Sequence, residues 1–273
     1  MIRYNPLTGD PILFAPGRAE RPRAFDQQEL ARCPFCPGHE SDTPPEITRT
    51  GDPWCVRVFP NKYPSVDGAE VIVESPRHND TFDRIELVED AVRMYIERYD
   101  AHRDAAYTAI FKNEGPHAGA SIPHVHSQVM PLPFVPPRIA RELKSFGSEC
   151  PLCAPEGHVI REGDAFQWIA PAGSSFAYQQ WLVPKRHVAE ISEFRDSEIG
   201  ELASLLRSAS RAMLNLGHSY NWTFMNFPRS PAAHCYVDLV PRLSSIAGFE
   251  LGTGTFVEII DPAAAARRLR ETE

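Results

Sequence analysis

Residues 124–133 read HVHSQVMPLP, and residues 234–243 read HCYVDLVPRL. Each opens on histidine, alternates through apolar positions and reaches a proline, so each reads as a β-strand. Side chains alternate faces along a strand, which puts His124, His126 and Gln128 on one face. Two imidazoles side by side allow two readings. Either both hold one metal ion, or one holds a metal ion while the other does chemistry.

The same landmarks precede both strands. Before the first come Cys33-Pro-Phe-Cys36 and VIVESPRHND with His78. Before the second come Cys150-Pro-Leu-Cys153 and QQWLVPKRHVAEI with His187. The first cysteines are 117 residues apart, the middle histidines 109, and His124 and His234 110. Landmarks in one order at such similar offsets indicate a unit written twice. Between middle histidine and last strand, each unit carries a helix pattern. Ile85, Val88, Val92, Tyr95, Ile96 and Tyr99 form one, and Ile199, Leu202, Leu205, Leu206, Met213 and Leu216 the other. Strands are expected near 11–15, 55–59, 69–74, 107–112, 122–131, 166–170, 179–183, 221–226 and 234–240. The expected fold is therefore α+β: a tandem duplication whose copies, 1–135 and 136–273, each combine antiparallel strands with one long helix. The stretch from about 132 to 149 bridges them.

The chain of 273 residues is 42% hydrophobic and 23% charged, which suits a globular protein with a large core. Its net charge of −8 argues against a general nucleic-acid surface, though not against a small anion held by a few arginines. The opening MIRYNPLTGD lacks the apolar run of a signal peptide. No stretch approaches the roughly 20 apolar residues of a membrane span. The expected compartment is the cytoplasm, where thiols stay reduced and paired cysteines point to metal before disulfide.

A Cys-x-x-Cys pair gives two thiolates to one tetrahedral Zn²⁺. The repeat names the other ligands: His78 and His124 with Cys33 and Cys36, and His187 and His234 with Cys150 and Cys153. Two filled Cys2His2 sites would be structural, so no catalytic metal is expected. Cys55 and Cys235 read as core residues. His126 is then left for chemistry. A neutral imidazole is a good nucleophile toward phosphorus when its other nitrogen is held as N–H. Gln128 can donate its amide to a phosphoryl oxygen, and Gly119 and Ser121 suit a backbone and a hydroxyl close to phosphate.

These blocks resemble the galactose-1-phosphate uridylyltransferase family, the nucleotidyl-transferring branch of the histidine triad superfamily. The likeness covers NPLTGDPILFAPGRAERP, CPFCPGHESDTPPE, VRVFPNKYPSV, EVIVESPRHND, FKNEGPHAGASIPHVHSQ, LVPKRHV and AGFELGTG. It implies a zinc-containing homodimer with active sites shared between subunits. It also implies that the second histidine of HxHxQ, His126, attacks the α-phosphorus of a nucleotide sugar, UDP-glucose in the first instance. The covalent nucleotide then passes to a second sugar 1-phosphate. By the same resemblance Gln128 bonds the transferred phosphate, and Asn113, Gly119 and Ser121 surround it. Arg18 and Arg21 contact phosphates, Phe35 and Asn61 lie near base and ribose, and Phe249 and Glu250 meet the hexose.

Three departures stand out. Val125 replaces the usual proline between the histidines. Tyr236 stands where the second copy would carry a nucleophile. The CPLC form of the second metal site resembles the branch that includes ADP-glucose phosphorylase, so an adenylyl-transferring phosphorylase, acting on ADP-glucose or a dinucleoside polyphosphate, stays open. A zinc-stabilised nucleotide-binding module without turnover is the alternative from another class, and an intact His126, Gln128 and Ser121 argue against it.

Overall fold

A computed structural model describes residues 1–20, 32–217 and 219–273. A small hairpin of β1 (Ile2–Tyr4) and β2 (Pro11–Leu13) opens the chain. There follow β3 (Thr48–Thr50), β4 (Val56–Pro60), β5 (Glu70–Val73), α1 (Val88–Ala101), β6 (Tyr107–Glu114) and β7 (His126–Leu132). A short α2 (Pro137–Glu142) leads into β8 (Gly157–Glu162), β9 (Phe166–Pro171), β10 (Gln180–Pro184), α3 (Asp196–Asn215), β11 (Tyr220–Met225) and β12 (Tyr236–Pro241). Two helices, α4 (Gly248–Thr253) and α5 (Pro262–Thr272), end it.

Ten strands form one antiparallel sheet in the order β3-β4-β5-β7-β6-β11-β12-β10-β9-β8. Read inward from either edge, the order in the first half is the order in the second. β6 and β11 meet at the centre, pairing from Tyr220↔Glu114 to Phe224↔Ile110. The expected α+β architecture is thus present, with both long helices in the expected places.

Alternation along the strands divides the sheet into two faces. One face, with Ile72, Ile110, Trp222, Phe224 and Leu239, packs against α1 and α3 in the main core. The periodic positions Val88, Val92, Tyr95 and Tyr99 of α1 are buried there. Glu89 and Asp90 in its first turn and Arg98 in its last complement the helix dipole. Trp222 of the second half lies edge-on to Tyr95 of the first, ring centroids 5.3 Å apart. Such buried rings each contribute roughly 1.5–3 kcal/mol by burial, so the core is common to both halves. The C-terminal α5 is capped by Asp261, whose carboxylate accepts from the N–H groups of Ala263 and Ala264.

The opposite face carries Phe59, Val71, Val73, His126 and Gln128 in the first half, and Ile169, Trp181, Val183 and Tyr236 in the second. The registers Phe59↔Val71, Val71↔Gln128, Val73↔His126 and Trp181↔Ile169 establish this. One difference from the sequence reading matters for the site. β7 begins at His126, not at 122, and residues 121–124 form bends. Pro123 cannot donate to a ladder, which keeps the strand from starting earlier.

Candidate active site and metal-ligand clusters

The bend before β7 separates the two histidines. His124 turns to the cysteines: its Nδ1 lies 3.6 Å from Cys33 Sγ and 3.7 Å from Cys36 Sγ. His78 Nδ1 lies 3.4 Å from Cys36 Sγ. The second half repeats the arrangement. Cys150 Sγ is 3.5 Å from His234 Nδ1, and Cys153 Sγ is 3.2 Å from His187 Nδ1 and 3.7 Å from His234 Nδ1. Within each cluster the four ligand atoms lie within 4.8 Å of one another. Metal–sulfur and metal–nitrogen bonds of about 2.3 and 2.1 Å at tetrahedral angles place sulfur and nitrogen about 3.6 Å apart, so the donors already have the spacing of ligands around one ion.

The far side of the rings agrees. His124 Nε2 donates to Ser75 O (2.7 Å), His234 Nε2 to Pro184 O (2.8 Å) and His187 Nε2 to Pro231 O (3.0 Å). Holding Nε2 as N–H directs the Nδ1 lone pair at the thiols, the outer arrangement that orients metal-bound histidine. Burial pushes the His124 and His234 imidazoles down to about 4 and the Cys33 thiol up to about 11. Neutral histidine is what a metal needs, and a divalent cation reverses the preference of the thiols. Both quartets named in the sequence can hold a metal ion. The second is the more open, with Cys153 and His187 exposed.

His126 faces a different space. With Phe35, Phe59, Asn61, Ser121 and Gln128 it lines a cleft of about 440 Å³. Phe35, from between the first two cysteines, sets its ring edge-on to His126, centroids 5.3 Å apart, and leans on Phe59 at 5.5 Å. The His126 Nδ1–H donates to His124 O at 2.7 Å, which makes Nε2 the nitrogen that carries the lone pair in the neutral ring. The bend that carries His124 and the His126 imidazole are therefore coupled through two residues of backbone.

Of the other expected residues, Arg18 sits at the rim, its guanidinium donating to Tyr63 O at 3.1 Å beside the cleft. Arg21 lies outside the described residues. Asn61 accepts from Tyr63 N (2.9 Å), fixing the turn that forms one wall. Asn113 shares the sheet face of Gln128, two residues beyond the Phe111↔Gln128 pair. Its side-chain carbonyl accepts from Asn221 at 2.7 Å. Gly119, at φ 81°, takes the left-handed turn that brings the chain round to Ser121. Asn113 and Gly119 thus stand just outside the lining. Phe249 and Glu250 do not line the cleft. They lie on α4, where Phe249 is 54% exposed and Glu250 Oε2 accepts from Ala247 N at 3.1 Å.

The cleft also holds residues the sequence did not single out: Arg32, Asp42, Thr43, Lys62 and Tyr63. Arg32 pairs with Asp42 at 2.8 Å, and Lys62 adds positive charge at the same wall. Outside the cleft, the Asn221 amide also donates to Ala118 O (2.9 Å) and ties the Gly119 loop to the second half.

In the second half Tyr236 begins β12 as His126 begins β7. Asp238 falls at the place of Gln128, and Leu152 at that of Phe35. These residues line a cavity of about 780 Å³. Burial holds the Tyr236 phenol well above its usual pKa. Its hydroxyl donates to Glu142 at 3.1 Å. Asp238 is engaged by Arg138 and Gln179, both at 2.7 Å, and by Trp181 at 3.1 Å. The position matching His126 is thus held by a phenol that burial keeps protonated.

An α+β protein whose two halves repeat one strand order, with His126 in a cleft of about 440 Å³, is the class that fold and site define. The comparisons narrow this. ADP-glucose phosphorylase of Arabidopsis thaliana is 30% identical, covering 99% of this chain and 92% of its own. Galactose-1-phosphate uridylyltransferase of Thermotoga maritima is 28% identical, over 100% of this chain and 98% of its own. The crystal structure of an ADP-glucose phosphorylase from Arabidopsis thaliana with bound ADP-glucose superposes with a TM-score of 0.84 at 29% identity, covering 100% of this chain and 98% of that one. No family model matches the chain. The chain belongs to the galactose-1-phosphate uridylyltransferase family and is an enzyme of its nucleotidyl-transferring kind. Among the described residues, no helix is long and apolar enough to cross a membrane.

Proposed function

We propose that the protein moves a nucleoside monophosphate from a nucleotide sugar to a phosphate-bearing acceptor by way of a covalent nucleotidyl-His126. The observation that carries this is the hydrogen bond from His126 Nδ1 to His124 O. It makes Nε2 the attacking atom and lets the ring disperse the positive charge it gains. In the first half-reaction the Nε2–phosphorus bond forms and the bond from the α-phosphorus to the bridging oxygen breaks. The departing sugar 1-phosphate keeps the electron pair. In the second, an acceptor phosphate oxygen attacks and the nitrogen–phosphorus bond breaks. The Gln128 amide and Ser121 hydroxyl donate to the phosphoryl oxygens, where charge develops. Arg18 and Arg21 bind the outer phosphates, Phe35 and Asn61 receive base and ribose, and Asn113 and Gly119 shape the phosphate loop.

Two donors fit this chemistry. Uridylyl transfer between UDP-glucose and a hexose 1-phosphate has the support of the Thermotoga maritima relative. Adenylyl transfer from ADP-glucose to phosphate has the support of the Arabidopsis relative and of the structure with ADP-glucose. Intact-mass measurement after incubation with each nucleotide sugar separates them, since the adduct is UMP in one case and AMP in the other. An adduct with neither, in protein of full metal content, refutes the covalent reading.

We further propose that both Cys2His2 clusters hold structural zinc, that the copies divide near residue 135, and that the protein works in the cytoplasm without nucleic-acid or membrane partners. The enzyme acts as a homodimer in which Phe249 and Glu250 reach the hexose in the cleft of the second subunit. The exposed Phe249, Leu251, Val257 and Ile259 around α4 support this.

A further inference from the structure

Behind β7, on the face turned to the helices, lies an ion pair that plays no part in the chemistry above. The Lys112 side chain is 0% exposed, and so is that of Glu74, with Nζ and Oε2 2.5 Å apart. The same ammonium donates to the backbone carbonyl of His126 at 3.1 Å. Glu114 Oε2 is 3.4 Å away, and the Phe82 ring centroid 5.2 Å. The other oxygen of Glu74 accepts from the hydroxyls of Tyr95 and Ser127. Ser75, next to Glu74, gives its carbonyl to His124 Nε2 at 2.7 Å. One buried cluster thus grips His124 through Ser75, His126 by its carbonyl and Ser127 by its hydroxyl.

Stability alone is a poor reason for this arrangement. A buried ion pair can often be replaced by apolar residues at no cost, because desolvation offsets the attraction. What the cluster supplies is geometry. On one side the imidazole is tied to the backbone through Nδ1. On the other, the peptide that carries it is tied to an ammonium that cannot move without breaking from Glu74. We propose that Lys112 is a positioning residue for His126, clamping the nucleophile's own carbonyl, with Glu74 as the counter-ion that makes the clamp tenable in the core. This rests on the reading of His126 as the nucleophile. A displacement of about 1 Å at a reacting group costs on the order of 100-fold in rate.

The test is the double variant Glu74→Gln/Lys112→Met. It removes both charges of the Glu74–Lys112 pair together and keeps an acceptor for Tyr95 and Ser127. Circular dichroism and metal content should match the wild type. Formation of the nucleotidyl adduct should slow about 100-fold while KM changes little. Imidazole ¹⁵N shifts should show His126 as a mixture of tautomers, where the wild type holds the proton on Nδ1. Lys112→Arg, which keeps the cation, should recover most of the rate. A folded double variant with wild-type rate and tautomer overturns the proposal. Should it not fold, Glu74→Gln alone takes its place, taking the counter-ion from Lys112: a slower adduct with mixed tautomers supports the clamp, and no change in either overturns it. If the wild type forms no adduct at all, the nucleotidyl-transfer reading falls, and the tautomer comparison still decides the clamp.

Discussion

Phe35 and Leu152 occupy matching places between the paired cysteines of the two halves, each 7% exposed. Phe35→Leu therefore puts into the first half a side chain that the second half already accommodates. The structure gives the cost. The ring makes a tilted contact with Phe59 at 5.5 Å and an edge contact with His126 at 5.3 Å. Aromatic contacts of this kind are worth about 0.5–1.5 kcal/mol each beyond area, and the change of volume costs under about 1.5 kcal/mol. The fold should lose about 2 kcal/mol and stay folded. The nucleotide should lose about 1 kcal/mol, because the part of Phe35 that faces the cleft is the part a base would touch. That is roughly a 5-fold rise in Kd, with a smaller change in kcat. Isothermal titration of UMP and AMP against wild type and variant reads the first number, and steady-state kinetics the second. Wild-type Kd values for both nucleotides, in a variant of normal metal content, would refute the placing of the base against Phe35.

Three further outcomes follow from the same geometry. His126→Ala should abolish the covalent adduct and nearly all turnover while metal content and melting temperature hold, whereas His124→Ala should lose metal from the first cluster and activity as a consequence; elemental analysis beside intact-mass spectra tells them apart. A chelator should strip the second cluster before the first, since Cys153 and His187 are exposed, and half the metal should leave in a fast phase that a colorimetric zinc assay resolves. Glu250→Ala should raise KM for the sugar 1-phosphate and leave nucleotide binding unchanged, as kinetics in each substrate would show.

Much of the site was legible because it is written in residue types with few other uses. Paired cysteines and positionally matched histidines named both metal-ligand clusters, and periodic apolar residues marked α1 and α3. Other parts were not legible. The start of β7 depends on Pro123, whose effect on a ladder is felt only once the neighbouring strands exist. The edge strand β3 is only three residues long, and β8 at the other edge carries a bulge between Val159 and Arg161. Helix α5 is an alanine-rich segment whose apolar stripe is too weak to announce it. Arg32, Lys62 and Tyr63 reach the cleft from loops, where sequence spacing carries no distance. Lys112 and Glu114 did leave a signal: both fall on the buried alternation of β6 with Ile110, and a charge at such a position asks for a partner.

The central pairing of β6 with β11 has a consequence for how far the two halves can part company. β6 spans Tyr107–Glu114 and would become a naked edge if the chain ended near residue 135. Such an edge, eight residues long and stripped of Trp222 on its apolar side, is a template for any other strand. The half that carries His126 is thus not a free-standing unit with an ornament attached. The second half, with Tyr236 at the place of His126, serves as a permanent, covalently tethered cover for β6. Its freedom to drift in sequence ends at the residues that face β6, Asn221 among them.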